Sequence, residues 1–63
     1  MKMLKVTTRD GVTMALNPHF ILSVTPSDKF PDETIITILS ADSNDYFIVH
    51  GDFKTITDLL ITI

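Results

Sequence analysis

The chain contains no cysteine. Disulfides are therefore excluded, and so is a thiolate zinc site. Glycine is almost as scarce, with only Gly11 and Gly51. Two glycines so far apart cannot build a glycine-rich phosphate loop. Basic residues are few as well. Lys2, Lys5, Arg9, Lys29 and Lys54 stand against eight acidic residues, for a net charge of −3. A phosphate backbone repels such a chain, which disfavours nucleic acid as a partner. Three of the five basic residues fall in the first nine positions, so the one basic edge lies at the N-terminus. No apolar run approaches the ~20 residues of a membrane span. Met1-Lys2-Met3-Leu4-Lys5 is not followed by the apolar stretch and small-residue cleavage site of a secretory signal. The expectation is a cytoplasmic protein with no membrane association.

What the chain has in quantity is apolar side chain. Its 63 residues make one domain, yet 44% of them are hydrophobic and the mean hydropathy is +0.29. A chain of this size buries only roughly 60% of the surface its unfolded form exposes. Small domains make up the deficit with disulfides, metals or association. With the first excluded, the surplus apolar surface points to a subunit interface, and so to a homo-oligomer.

The pattern along the chain is mostly that of strands. Leu4-Lys5-Val6-Thr7-Thr8-Arg9 alternates and is rich in β-branched residues. Asp10-Gly11 predicts a two-residue type I′ hairpin turn, with Val12 to Leu16 as the return strand. Asn17-Pro18 ends it, because proline cannot donate to a ladder. Phe20 to Thr25 reads as a third strand with Phe20, Leu22 and Val24 on one face. Pro26 to Glu33 is a polar loop that contains one aromatic, Phe30. Thr34 to Leu39 has the β-branched density of a central strand, Ala41 to Asp45 reads as a turn, and Tyr46 to Val49 as a fifth strand. The period then changes. Phe53, Ile56, Leu59, Leu60 and Ile63 recur at helical spacing, and Asp52 suits an N-cap. A helix over about 52–62 follows, with a strand at Ile61-Thr62-Ile63 as the alternative. The fold class is mainly β (α+β): a small curled antiparallel sheet of about five strands with one C-terminal helix, in a single domain over 1–63.

The residue inventory supplies no enzyme mechanism. No serine lies in a Gly-x-Ser-x-Gly context, and neither His19 nor His50 has a serine beside it. No catalytic residue is assigned and the chain is expected not to be an enzyme. His19 and His50 with Asp45 or Asp52 could be drawn together as metal ligands. Asp52 is better explained as a helix cap, so no metal and no cofactor is expected. Asp42-Ser43-Asn44-Asp45 lacks calcium-loop spacing and reads as turn chemistry. Phe30, between Lys29 and Pro31, either anchors a partner or folds back to plug its own core. Met1, Met3 and Met14 near the first hairpin serve as core filler or as an adaptable contact surface.

Two stretches resemble a known family. Leu16-Asn17-Pro18-His19-Phe20-Ile21-Leu22-Ser23-Val24 is similar to an L-N-P-x-x-I-x-x-I pattern, and Pro31-Asp32-Glu33-Thr34-Ile35-Ile36-Thr37-Ile38 looks like P-D-T-x-I-x-L with one residue inserted. Phe47 to Phe53 stands where that pattern turns a corner into a final helix. These features resemble the small FlbD-like proteins linked to flagellar assembly and swarming, which also occur in phage genomes. The resemblance implies a bacterial or phage-infected cell and no catalytic residues. The family's Glu-Ser corner is Gly51-Asp52 in this chain. The same arrangement looks loosely like LytTR-type DNA-binding domains, against which the acidic charge weighs.

Three functional readings follow. The first is a non-enzymatic binding or adaptor module that acts as a homo-oligomer with a protein partner. The second is a phage-type sponge that sequesters a small anionic, nucleotide-like signal between subunits, with Arg9, Lys29, Phe30 and His50 as the charge and stacking residues. The third is DNA binding through the basic N-terminal strand.

Overall fold

The structure is a computed structural model and describes residues 3–39 and 44–61. Five strands precede one helix: β1 (Leu4–Thr7), β2 (Thr13–Leu16), β3 (Ile21–Pro26), β4 (Glu33–Leu39), β5 (Asn44–His50) and α1 (Phe53–Ile61). The mainly β class with a C-terminal helix is as the residue pattern predicts. The strands fall into two antiparallel sheets, β1-β2 and β3-β4-β5. A bridge between Thr8 and Val49 joins them, and the Arg9 N–H donates to the Ile48 carbonyl at 2.8 Å. The end of the β1-β2 hairpin is thus linked to the C-terminal end of β5, and the remainder of β5 is not paired with it.

Alternation in the strands decides which side chains meet. Leu4, Val6 and Leu16 from the hairpin, Ile36 from β4, Val49 from β5 and Ile56 from α1 form the buried core. Ile36 and Val49 are fully buried. Helix α1 is short and uses residues of modest helical propensity, so it depends on this packing. Its cap is the expected one. The Asp52 carboxylate accepts from the Thr55 N–H at 3.0 Å, and its carbonyl accepts from the Ile56 N–H at 3.1 Å. The hydroxyl of Thr55, and then its N–H, hold the Asp52 carboxyl below its ordinary 3.8. Of the apolar stripe, Ile56 is buried and Leu60 packs against the core, while Phe53 and Leu59 remain exposed. Ile61 is helical, which removes the strand alternative at that residue; Thr62 and Ile63 lie outside the described residues.

Four local expectations are corrected. The first hairpin does not close with a type I′ turn, which needs positive φ at both central residues. Asp10 lacks it, and only Gly11 takes it, at φ 91°. The Gly11 N–H donates to the Thr8 carbonyl at 2.9 Å, and the Thr8 N–H to the Val12 carbonyl at 2.8 Å. That is a three-residue loop in which Gly11 supplies the left-handed step. Secondly, β3 starts one residue later than expected, because Pro18–Phe20 forms a 3₁₀ turn capped by the Asn17 side chain. Thirdly, Phe20, Leu22 and Val24 do not share a face. The register slips between Ile21 and Ser23, so Ile21 and Val24 pack on the core while Phe20 and Leu22 face solvent. Of the expected turn at Ala41 to Asp45, Asn44 and Asp45 belong instead to β5, and residues 41–43 lie outside the described set. Among the described residues, no helix is long and apolar enough to cross a membrane.

Candidate functional site

The loop between β3 and β4 is ordered by its own residues. The Ser27 hydroxyl accepts from the Phe30 N–H at 3.2 Å, and the Phe30 carbonyl accepts from the Glu33 N–H at 3.0 Å. This fold-back presents the Phe30 ring towards the first hairpin. Arg9, at the turn of that hairpin, lies over the ring with its Cζ 5.3 Å from the centroid. The other side of the guanidinium meets Glu33, 24 residues away in sequence. Nε donates to both carboxylate oxygens at 3.2 Å, and Nη2 donates to Oε1 at 2.6 Å. Glu33 is buried, whereas about half of the Arg9 side chain is exposed.

Of the four residues proposed from sequence, the structure brings Arg9 and Phe30 together. His50 stands opposite Glu33 in the β4-β5 register but is exposed. Lys29 is exposed and forms no ion pair among the described residues. Glu33 is the residue that sequence reasoning missed, and it changes the chemistry. The guanidinium charge is compensated inside the chain rather than offered to an anion. Hydrogen bonding from Arg9 holds the Glu33 carboxyl below its ordinary 4.5, against the opposing effect of burial. The folded value lies below the unfolded one. The stabilisation is therefore complete above pH 4.5 and is lost as pH falls through the folded value. Glu33→Gln is expected to lower the melting temperature at pH 7. Thermal melts from pH 7 to about pH 3 should show the gap to the native chain closing in acid, since protonation then removes the pair from both. A gap independent of pH would assign Glu33 a packing role only.

Two further features surround this clamp. The register places Ile35, Thr37 and Leu39 of β4 beside Ile48 and Tyr46 of β5 on the sheet face opposite the core. Alternation puts Ser23 and Thr25 of β3 on the same face. Its Leu39 end is open, with Tyr46 67% and Leu39 52% exposed, while Ile35, Thr37 and Ile48 are half-buried. An open groove of about 450 Å³ lies between β5 and the hairpin, lined by Thr8, Val12, Met14 and Phe47 and by Tyr46 and Ile48, which it shares with that face. Arg9 and Asp10 close one end of it. A second groove, of about 420 Å³, places Lys5 and His50 near the start of α1.

No family model, curated protein or solved structure matches the chain. The functional reading therefore rests on the surfaces just described.

Proposed function

We propose that the chain is a non-enzymatic binding module that works as a homo-oligomer, with two copies packed through the outer face of β3-β4-β5. The carrying observation is the apolar row Ile35, Ile48, Tyr46 and Leu39 on one sheet face, of which Tyr46 and Leu39 are more than half exposed. Flat rows of β-branched and aromatic side chains suit sheet-on-sheet packing at a spacing of ~10 Å. A second copy is the fitting occupant for two reasons. One is charge: two chains of net charge −3 repel unless they meet through a neutral surface. This face is such a surface, because its acidic residue, Glu33, is neutralised by Arg9. The other is area. A stable interface takes about 800 Å² from each partner. That is under a fifth of the 4430 Å² surface of the chain.

Self-association leaves the edges of the sheet free for a protein partner, which fits an adaptor. The ligand-sequestering alternative would draw on Arg9, whose charge is already engaged by Glu33, so the self-associating module is favoured.

Thr37→Glu tests the interface with little risk to the fold, since Thr37 is half-buried at the centre of the outer face and away from the core. Two such carboxylates facing each other should weaken association at least about 100-fold, the effect of about 3 kcal/mol of repulsion and desolvation. Sedimentation velocity should then give a folded monomer with unchanged circular dichroism. An oligomer that survives Thr37→Glu and Ile35→Glu alike would exclude this face.

A further inference from the structure

We infer that the free edge of β5 is a strand-addition site, which takes an extended, lysine-bearing apolar segment of a protein partner into the groove beside the first hairpin. The inference rests on the reading of the chain as a protein-binding module and names where and how the partner is held.

The backbone carries the argument. The Ile48 carbonyl points away from β4, because it accepts the Arg9 N–H. In an antiparallel strand the N–H and C=O of every second residue point the same way. Tyr46 therefore directs its own N–H and C=O into the groove. The hairpin cannot meet them, because the chain turns away at Asp10 and Gly11 immediately after the Arg9 bond. Outside the β4-β5 ladder, no backbone hydrogen bond joins Tyr46 to another described segment. Among the described residues, nothing pairs with this edge from Asn44 to Phe47, a length of ~13 Å at about 3.3 Å per residue.

The other edges of the sheet are defended. β3 carries a bulge at Leu22 and ends at Pro26, two devices that blunt an exposed edge. β2 has only four residues and is followed by Pro18. The β5 edge has neither device. It is instead flanked by a groove of about 450 Å³, within the range of about 300–1,000 Å³ typical of binding sites. Met14 and Phe47 form its apolar walls, with Val12 at its rim 54% exposed. They can take alternate side chains of an added strand, which is how such sites gain specificity.

Charge selects the partner. Arg9 faces two carboxylates, Glu33 and Asp10, so one negative charge is left over at the closed end of the groove. The chain as a whole is at −3. An extended segment that alternates valine with lysine satisfies edge, walls and rim together.

The probe is a blocked hexapeptide of alternating lysine and valine, titrated into the whole chain and followed by amide hydrogen exchange and NMR shifts. At about 90% saturation the Tyr46 amide should exchange about tenfold more slowly, with shifts centred on Tyr46 to Ile48. The alternating glutamate–valine peptide should give no protection, and Val12→Lys, which sets a cation at the exposed rim, should weaken binding of the lysine peptide while leaving the fold intact. Protection at β3 instead, or none at Tyr46, would overturn the site. Repeating the titration on Thr37→Glu separates the two proposals. Binding to a monomer sustains the edge site even if the native chain never self-associates, and a dimer without Tyr46 protection rejects the edge site alone.

Discussion

Gly51→Ala is expected to lower the melting temperature by roughly 10–20 °C, the consequence of about 2–3 kcal/mol in a domain of this size. Gly51 sits at φ 120°, where an L side chain is strained whatever space surrounds it. Space is also short. An added Cβ would lie 3.1 Å from Cδ1 and 3.4 Å from Cγ1 of Ile56, which is itself in the core. The corner cannot relax easily, because both sides of it are tied. The Gly51 N–H donates to the Asp32 carbonyl, and the Thr34 hydroxyl donates to the Gly51 carbonyl, each at 2.8 Å. Gly11→Ala is the matched control. It meets the same sign of φ, at 91°, but nothing lies within 4 Å of its Cβ. Its cost should be about 1–2 kcal/mol from conformation alone. Thermal melts at one protein concentration decide the matter. Equal losses for the two variants would mean that the Ile56 contact gives way freely.

Ile36→Ala should cost about 2–5 kcal/mol, because it removes a fully buried side chain and leaves a cavity. At about 0.05–0.15 kcal/mol per residue, a chain of 63 residues has only about 3–9 kcal/mol to lose. The variant is therefore expected to be largely unfolded at about 40 °C, with a melting temperature lowered by about 10–30 °C. The position also separates the two faces of β4. Ile35, its neighbour in sequence, points to the outer side. Ile35→Ala should leave the isolated chain within about 1 kcal/mol of its original stability, since little water-excluded packing is lost. Urea titration of both variants measures the contrast, best done on a Thr37→Glu background so that association does not contribute. A comparable loss at Ile35 would mean that the outer face is packed within the chain.

These two variants also show which parts of the fold the residues reveal by themselves. The β-branched density of Thr34 to Leu39 and the Asp52 cap locate β4 and α1, because both are local signals. The face of β4 is less plain. A run such as Thr34-Ile35-Ile36-Thr37-Ile38-Leu39 reads as buried on both sides, and only the register with β5 separates Ile36 from Ile35 and Leu39. The bulge at Leu22 was hidden for the opposite reason. Phe20, Leu22 and Val24 alternate perfectly, and the 3₁₀ turn that displaces Phe20 arises from Asn17 and Pro18 upstream. Glu33 stayed unmarked as a site residue because its partner, Arg9, lies 24 positions away. Its position next to Thr34, at the mouth of a strand, gave the one available hint that a carboxylate would need a cation. Arg9 and Phe30 were singled out by residue type, and the structure brings them together; Lys29 and His50 share that chemistry but not the contact.

The central claim is self-association through the outer sheet face, and native mass spectrometry of the gently purified protein tests it most directly. At roughly micromolar concentration, where interfaces of about 1,600 Å² in total commonly hold, the account predicts a species at twice the 7.1 kDa of the chain. The same spectrum for Thr37→Glu should return to the single-chain mass. A native chain that remains at 7.1 kDa across the whole concentration range would contradict the account.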